Sequence, residues 1–317
     1  MPVLDEERHL QRAVDSVLAQ HYPGSFDVCL ALGPSTDQTD QIAAHITQAD
    51  PRVRTVANPT GGRSSGLNAA IRATTGSVIV RVDAHCELPP GYITRAVETL
   101  LRTDAVNVGG FQRAVGTTPF EEASARALAS PFGMGGARYR AGGTEGPVDT
   151  VFLGVFERSA IESVGLFDET VVGNEDYELN IRLRTAGGTV WFDPQLSVDY
   201  TPRASLRALA RQFFLYGAWK RSVVRKHPGA TKLRQAAPPL ALLAIVASIV
   251  VSPWLPVALV VPGAYALAVV VASLLAGRHP AHIARLLVIF PTMHGAWAWG
   301  FLRGEPRRSS GPSRADR

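Results

Sequence analysis

Two short acidic motifs carry the side chains that could do chemistry. Asp83-Ala84-His85 directly follows the apolar run 77–82, and Glu175-Asp176 opens a helix-like segment at 174–185. A carboxylate and an imidazole two residues apart at a strand end can reach one divalent cation, and Mg²⁺ or Mn²⁺ accepts the oxygen more readily than the imidazole. A carboxylate at the edge of a site can act as a general base. Each motif also has an ordinary interpretation, a turn for the first and compensation of the helix dipole for the second.

The elements that must position these motifs alternate along the first 200 residues. Apolar runs that favour strands lie at 27–32, 53–57, 77–82, 151–156 and 189–192, and helical spacing is found from residue 6 and at 39–49, 64–73 and 174–185. This alternation predicts an α/β, Rossmann-like fold with a mainly parallel sheet flanked by helices. Ligands of such sheets bind at the carboxyl ends of the strands. The turn 33–37 and the Asp83 motif both follow strands, so we expect them at one rim.

Two segments depart from this regular pattern. Pro2-Val3-Leu4 has the composition of the end of a strand, which predicts either a first strand whose beginning is missing or a short edge strand. The segment 110–146 is rich in glycine and is predicted to be a long irregular loop.

Charge is segregated between the two parts of the chain. Residues 1–199 contain 16 Arg, no Lys and 25 acidic residues, whereas residues 200–317 contain 16 basic residues and only Glu305 and Asp316 as acids. The basic part also contains an uncharged stretch, 235–277, that is about twice as long as one membrane helix requires. A basic and apolar composition favours membrane lipids as a partner and argues against nucleic acid.

We therefore expect four regions. They are a catalytic domain at 1–200, a basic amphipathic interfacial helix region at 201–234, a membrane region at 235–302 and a basic disordered tail at 303–317. Two spans are predicted near 239–251 and 255–276, and 286–302 is either a third span or an interfacial or re-entrant segment. Two spans leave the arginine-rich segments on the cytoplasmic side, which predicts a catalytic domain at the cytoplasmic face of the cell membrane. The alternative is a buried hairpin in a soluble core.

Five segments, taken in order, resemble family 2 glycosyltransferases of the GT-A fold. They are Pro2-Val3-Leu4-Asp5-Glu6, Ser35-Thr36-Asp37-Gln38-Thr39, Gly62-Arg63-Ser64-Ser65-Gly66-Leu67-Asn68, Val82-Asp83-Ala84-His85 and Asn174-Glu175-Asp176-Tyr177-Glu178-Leu179. The set is most similar to the bacterial exopolysaccharide branch, which includes succinoglycan-type glycosyltransferases. The resemblance implies transfer of a sugar, with inversion, from a nucleotide sugar to a lipid-linked or polysaccharide acceptor. A UDP-sugar is the expected donor, and Mg²⁺ or Mn²⁺ is the expected cofactor.

The resemblance also implies roles for individual residues. Asp83 matches the first acid of the family's DxD element, with the metal ligand His85 in place of its last acid. Asp176 matches the acid of the family's ED motif, the catalytic base, and Glu175 of the same motif is also implied to be catalytic. Contacts with the donor are implied for Pro2, Val3, Glu6, Ser35, Asp37, Arg63, Asn68 and Asp83, and positions on the acceptor or donor side for Tyr177 and Gln212. For Ser35 and Asp37, an ordinary turn and helix cap is the alternative.

Besides His85, which makes the metal site softer than two carboxylates would, two departures from the family pattern limit what is implied. Leu32 stands where the family usually has an acid near the nucleobase, which leaves the choice of base open. The residues after Gln212 lack the Arg and Trp of the Gln-x-x-Arg-Trp element of processive synthases, which favours single additions. A nucleotidyltransferase and a catalytically silent membrane scaffold are the alternative functions.

Overall fold

The computed structural model describes residues 1–230 and 233–304. This part of the chain forms two compact units. Within the described residues, the first unit contains Met1–Arg113 and Gly142–Asp199, and the second contains Ala114–Ala141, 200–230 and 233–304. The predicted tail lies outside the described residues from position 305 onward.

Helices and strands alternate along the chain as far as Tyr200. In order they are β1 (Pro2–Val3), α1 (Leu10–Leu18), β2 (Val28–Leu32), α2 (Thr39–Ala49), β3 (Val53–Ala57), α3 (Arg63–Arg72), β4 (Val78–Val80), α4 (Tyr92–Thr103), β5 (Asn107–Ala114), α5 (Pro119–Ala129), α6 (Pro131–Met134), α7 (Arg138–Ala141), β6 (Gly146–Pro147), β7 (Phe152–Glu157), α8 (Arg158–Ser163), α9 (Glu175–Thr185) and β8 (Val190–Tyr200). Helices then follow as α10 (Leu206–Lys226), α11 (Leu233–Val251), α12 (Val260–Ala276) and α13 (Pro280–Arg303), with short 3₁₀ turns at Pro228–Ala230 and Pro256–Leu259.

The strands form two sheets, and the predicted α/β class is confirmed. β1, β2 and β3 pair in parallel in that order, as the alternation of strands and helices predicts. The second sheet has the order β4-β7-β5-β8-β6, in which β7 pairs antiparallel with both β4 and β5, and β6 pairs antiparallel with β8. The protein therefore contains parallel pairs in the first sheet and antiparallel pairs in the second. β1 is a two-residue strand at the edge of its sheet.

The core of the first unit follows the apolar periodicity of the sequence. The predicted apolar face of α1 is buried through Leu10, Ala13, Val14 and Val17, and the first four residues of β2 are buried as well. Helix α9 is different, since it buries charged and amide side chains alongside its leucines. Glu178 of α9 is fully buried because Arg182 binds both of its carboxylate oxygens at 2.7–3.0 Å. These polar contacts fix the helix that carries Glu175 and Asp176.

The segment 110–146 is not the long irregular loop that its glycines predict. β5 extends to Ala114, and α5 is an eleven-residue helix that begins with a capping box. The Thr118 hydroxyl accepts a hydrogen bond from the Glu121 amide, and the Glu121 carboxylate accepts one from the Thr118 amide. Thr118-Pro119-Phe120-Glu121 has the sequence signature of such a start, which outweighs the glycine content of the segment.

One helix of the described chain is long and apolar enough to cross a membrane, the 21-residue segment Pro256–Ala276. It coincides with the second predicted span. The first predicted span corresponds to an apolar helix of 17 residues, Gln235–Val251, which is shorter than the roughly 20 residues a spanning helix requires. Both helices expose large apolar side chains, such as Leu243, Ile249, Leu267 and Leu275. Apolar surface of this extent is typical of contact with lipid or with another protein.

The third apolar segment forms one continuous helix, and its placement in the membrane stays a prediction. Helix α13 runs through Pro291 without a break. Leu286, Ile289, Phe290 and Met293 are buried in an apolar cluster that also includes Ala123 of α5 and Phe213 of α10. The face of this helix that could meet lipid is therefore partly covered by protein.

Two glycines bring α10 and α13 close together. The predicted apolar face of α10 is buried through Leu209, Phe213 and Gly217, and α13 covers it rather than lipid. A Cβ at Gly300 would lie 1.9 Å from the carbonyl oxygen of Phe214, and a Cβ at Gly217 would lie 2.0 Å from that of Trp297. Since real carbon atoms do not approach backbone oxygens so closely, only glycine permits this helix contact.

We expect Gly300→Ala to destabilise the second unit by about 2 kcal/mol or more, because the added methyl group must push the two helices apart. Gly295→Ala is the matched control in the same helix, where a Cβ would meet no atom within 4 Å. The control should be neutral or stabilising by up to about 1 kcal/mol, since alanine favours the helix. Thermal unfolding of the full chain in detergent measures both variants, and equal effects would contradict the close contact.

Candidate active site

One buried arginine joins the two acidic motifs that the sequence singles out. Arg81 follows β4, and its Nη2 atom donates to Asp83 Oδ1 at 3.2 Å and to Glu175 Oε1 at 3.1 Å. The side chains of Arg81 and Glu175 are only 7% and 3% exposed. Asp176 is the next residue of the helix and is half-buried. The structure thus brings Asp83 and the Glu175-Asp176 pair together, although 92 positions separate Asp83 from Glu175 along the chain.

The ends of a strand and a helix hold these groups in place. The Arg81 amide donates to the Gly154 carbonyl at 3.1 Å, which extends the pairing of β4 with β7 by one residue. Glu175 and Asp176 form the first turn of α9, which begins after Asn174 in the left-handed conformation with φ of 60°. Asparagine tolerates this conformation better than most residues. The positive end of the helix dipole also favours carboxylates in the first turn.

The charges around Arg81 keep Asp83 and Glu175 ionised. Burial by itself would raise the pKa of each carboxyl group, but Arg81 and Arg63 outweigh it in both cases. The pKa of Asp83 is lowered to about 2, mainly by Arg81, and the pKa of Glu175 is also lowered. Both groups are therefore anions at neutral pH. Such anions can stabilise a buried arginine or a bound cation, but they are poor proton acceptors.

Asp176 has the opposite electrostatic character. Burial raises its pKa, and the neighbouring Glu175 carboxylate raises it further. Its Oδ1 atom accepts a hydrogen bond from the Tyr177 amide at 2.7 Å, which fixes the orientation of the carboxylate. A carboxylate with a raised pKa at the edge of a site is suited to accept a proton from a substrate hydroxyl.

A second arginine reaches the same carboxylates. Arg63 is the first residue of α3, and its Nη1 atom lies 3.4 Å from Glu175 Oε1. Its side chain remains about one third exposed, at 36%. A partly exposed guanidinium next to buried carboxylates can bind a phosphate group of a substrate through bidentate hydrogen bonds.

The residues after Arg81 fit a divalent cation. Asp83, His85 and Cys86 each offer a ligand atom, and these atoms lie within 4.8 Å of one another. Both hydrogen bonds from Arg81 fall on Asp83 Oδ1, so Oδ2 is the oxygen that can take a cation. Burial raises the pKa of the Cys86 thiol, which stays protonated and is a poor ligand for a hard cation. The usable ligands are therefore one carboxylate oxygen and one imidazole.

Glu6 orients the imidazole of His85. Its Oε1 atom lies 2.9 Å from His85 Nδ1. Imidazoles that bind metals usually have their other ring nitrogen held by a carboxylate in this way, which leaves Nε2 for the metal. The structure gives Glu6 this positioning contact, and its contact with the donor stays a prediction.

Ser35 and Asp37 hold two loops together. The Ser35 hydroxyl accepts a hydrogen bond from the Asp5 amide at 3.1 Å. The Asp37 carboxylate accepts bonds from the amides of Glu7 and Thr39 at 3.2 and 3.0 Å. These contacts are those of the turn and cap that the sequence leaves open as an alternative. They fix the loop after β1 to the loop after β2, and direct contact of either residue with a donor stays a prediction.

Other predicted site residues are mostly buried. The Asn68 amide group donates to the Phe167 carbonyl and to Glu169, and its oxygen accepts from the Phe167 amide, all at 2.8–2.9 Å. Asn68 therefore holds the segment 167–169, and its contact with the donor stays a prediction. Val3 and Tyr177 are buried, and Pro2 is half-buried in β1. Gln212 lies in the second unit, where its amide donates to the hydroxyls of Tyr200 and Tyr216.

Sequence reasoning missed Arg81, which contacts both Asp83 and Glu175. It interrupts the apolar run Val78-Ile79-Val80-Arg81-Val82, which was read as a buried strand. A charged residue inside such a strand must find a partner of opposite charge, since an unpaired buried charge is costly. That signal was present in the sequence, but it did not reveal that Glu175 is one of the partners.

Comparison with known proteins shows the family of this chain. The model of the family "Glycosyl transferase family 2" matches residues 1–165. The succinoglycan biosynthesis protein ExoA of Rhizobium meliloti is 33% identical over 96% of this chain and 93% of that protein. This chain belongs to glycosyltransferase family 2. It is a glycosyltransferase, and the predicted family is confirmed.

Two other similar proteins have lower sequence identity to this chain. A Methanococcus voltae dolichyl N-acetyl-alpha-D-glucosaminyl phosphate 3-beta-D-2,3-diacetamido-2,3-dideoxy-beta-D-glucuronosyltransferase is 23% identical over 71% of this chain and 73% of that protein. Among solved structures, the mannosyltransferase PcManGT of Pyrobaculum calidifontis, in complex with GDP-Man and Mn²⁺, has a TM-score of 0.66 at 18% identity. The structural match covers 95% of this chain and 84% of the PcManGT chain. This solved structure supports the GT-A fold of this glycosyltransferase.

Proposed function

We propose that this glycosyltransferase moves a single sugar, with inversion, from a nucleotide sugar to a hydroxyl group of a lipid-linked or polysaccharide acceptor. The reaction would belong to exopolysaccharide synthesis at the cytoplasmic face of the cell membrane. The observation that carries the proposal is the contrast between neighbouring carboxylates around Arg81. Asp83 and Glu175 are held as anions, whereas the pKa of Asp176 is raised. One site therefore contains both anionic and proton-accepting groups.

Asp176 is the proposed general base. It accepts the proton of the acceptor hydroxyl while that oxygen attacks the anomeric carbon of the donor sugar. The bond from this carbon to the diphosphate breaks at the same time, and the nucleoside diphosphate leaves with the electron pair. Because attack and departure occur on opposite sides of one carbon, the configuration of the sugar is inverted. Glu175 stays ionised and holds Arg81 and Arg63.

The leaving diphosphate needs positive charge. The exposed guanidinium of Arg63 can supply part of it. Asp83 and His85 are the residues that would hold a divalent cation, which would neutralise the rest of the diphosphate charge. The Mn²⁺ and GDP-Man bound by PcManGT support this proposal. An imidazole ligand suits Mn²⁺ better than Mg²⁺, which dehydrates reluctantly and prefers oxygen.

Membrane attachment and the class of acceptor rest on two further observations. Pro256–Ala276 could cross a membrane and is largely exposed. The relatives include a succinoglycan biosynthesis protein and a transferase whose name specifies a dolichyl phosphate acceptor. The nucleobase stays open, since solved relatives of similar fold bind GDP-Man or, in Staphylococcus aureus TarS (TM-score 0.51), UDP-GlcNAc.

We expect the rate of transfer to fall on the acidic side of neutrality. A general base works only when it is deprotonated, and burial together with Glu175 raises the pKa of Asp176 above that of an ordinary aspartate. Protonation as the pH falls through this raised pKa should therefore reduce kcat/KM. A pH profile of kcat/KM with a single donor measures the effect. A flat profile down to the ordinary pKa of aspartate would argue against Asp176 as the base.

A donor screen tests the function as a whole. The full chain in detergent is incubated with Mn²⁺, with a panel of UDP-, GDP- and dTDP-sugars, and with a lipid extract of the source membrane. We expect one donor to release its nucleoside diphosphate in the presence of Mn²⁺ but not of EDTA, and one lipid or polysaccharide product to gain the mass of one sugar. Release of pyrophosphate would instead indicate a nucleotidyltransferase, and no release from any donor would favour a silent scaffold.

A further inference from the structure

Arg140 is a buried arginine with unused hydrogen-bond donors in the second unit. It lies in α7 and is 5% exposed. Its guanidinium stacks over the ring of Tyr200, with 4.8 Å from Cζ to the ring centroid. Its Nε and Nη1 atoms are buried and have no hydrogen-bond partner among the residues that the structure describes. Stacking satisfies the face of the guanidinium but leaves these N–H groups unpaired.

The second unit has no carboxylate to spare for this arginine. In its described part the only acidic residues are Glu121 and Glu122. Glu121 caps the start of α5 by accepting bonds from the amides of Thr117 and Thr118, both at 3.0 Å. Glu122 lies 3.1 Å from His282 Nε2. A buried cation without an anionic partner is costly, so a partner from outside the unit would be strongly favoured.

The surroundings of Arg140 also supply donors. Gln212 Nε2 lies 2.8 Å from the Tyr200 hydroxyl oxygen and 3.0 Å from that of Tyr216, and it donates to both. Since both phenol oxygens act as acceptors here, each O–H can donate in another direction. A guanidinium over the ring of Tyr200, whose hydroxyl shares the Gln212 amide with that of Tyr216, matches the charge and the several acceptor oxygens of a phosphate group.

We propose that Arg140 binds a phosphate group of a substrate. This inference rests on the proposed function, which offers two sources of the same chemistry. One is the phosphate that joins an acceptor to its lipid, and the other is the diphosphate of the nucleotide sugar. Binding of the first kind would identify the acceptor as lipid-linked, because a free polysaccharide need not carry phosphate.

Thermal unfolding of the full chain in detergent, titrated with inorganic pyrophosphate, tests the phosphate site. EDTA is present so that binding through a cation is suppressed. Arg140→Met removes the guanidinium, and Arg207→Met is the matched control on the exposed face of α10. We expect Arg140→Met to need roughly tenfold more pyrophosphate than wild type for half of the maximal stabilisation, since charge-assisted bonds are lost. The control should respond as wild type does. An unchanged response in Arg140→Met would overturn the proposal.

The same experiment without ligand separates binding from a structural role. Because Arg140 is an unpaired buried charge, Arg140→Met should unfold at the same temperature as wild type or higher. A decrease of several degrees in Arg140→Met, with Arg207→Met unchanged, would mean that the guanidinium stabilises the fold and would also overturn the proposal. Arg140→Lys keeps the charge but loses the planar fork, so its response to pyrophosphate should lie between the two.

Titration with UDP, GDP and farnesyl diphosphate then identifies the source of the phosphate. If Arg140→Met weakens only farnesyl diphosphate, the site holds the lipid-linked acceptor. If it weakens only UDP or GDP, the site holds the donor. These measurements need no turnover, so they stay informative if the donor screen shows no transfer. In that case the phosphate site would stand while the proposed function would fail.

Discussion

Asp176→Asn should lower the rate of sugar transfer by roughly 100-fold or more while leaving the binding of nucleoside diphosphate nearly unchanged. The amide has the shape of the carboxylate but cannot accept the proton of the acceptor hydroxyl, and general bases typically contribute factors of 10²–10⁴ to a rate. The fold should not suffer. Burial and Glu175 already raise the pKa of Asp176, so a neutral side chain removes an unfavourable charge. Transfer is measured with radiolabelled donor, and binding by calorimetric titration.

Two variants show whether the effect is specific to this carboxylate. Asp40→Asn changes an exposed carboxylate in the first turn of α2, and its transfer rate should equal that of wild type. Glu175→Gln should behave differently from Asp176→Asn, since it weakens the contacts with Arg81 and Arg63 and so lowers stability and donor affinity. If Asp176→Asn retained transfer within a few-fold of wild type, another group would have to take the proton.

Arg81→Met should have the largest effect on stability in the first unit. Arg81 is buried and binds Asp83 and Glu175, and its removal leaves Asp83 without its main partner and Glu175 with the partly exposed Arg63. Breaking a buried ion pair from one side typically costs about 3–5 kcal/mol, because a buried charge remains uncompensated. Urea unfolding of the full chain in detergent, followed through Trp191 of the first unit, measures the loss.

An exposed ion pair serves as the control for Arg81→Met, and a double variant tests whether the loss of stability comes from the unpaired carboxylates. Arg113 and Asp199 form an ion pair whose side chains are 59% and 57% exposed, so Arg113→Met should cost at most about 1 kcal/mol. Glu175→Gln introduced together with Arg81→Met should recover part of the lost stability, since one buried charge is then removed. A loss for Arg81→Met no larger than that for Arg113→Met would show that water reaches Asp83 and Glu175.

The local elements of the first unit could be predicted because their signals are local. The apolar spacing of α1, the bounds of α2 and β3, and the first turn of α9 all follow from residues within one element. The order of the motifs along the chain similarly indicated the family, which the comparisons confirm. Neither kind of signal depends on which distant residues meet in the folded chain.

The capping box of α5 was overlooked because glycine content was given more weight than the Thr118–Glu121 spacing. Sequence likewise could not show that α13 covers the apolar face of α10, since an apolar stripe has the same pattern against lipid and against protein. The close contact of these helices depends on Gly217 and Gly300, which lie more than 80 positions apart.

The sequence by itself determined which chemical groups are available. These are the acids of both motifs, His85 of the first motif and the apolar helices that follow. Only the tertiary structure decided how they are used. It placed Arg81 between Asp83 and Glu175, turned Glu6 toward His85 and committed Asn68 to a loop. The reason is physical. The pKa of a side chain, and which of its atoms can still bind a ligand, depend on its burial and its partners in the folded protein. Those partners come from distant parts of the chain.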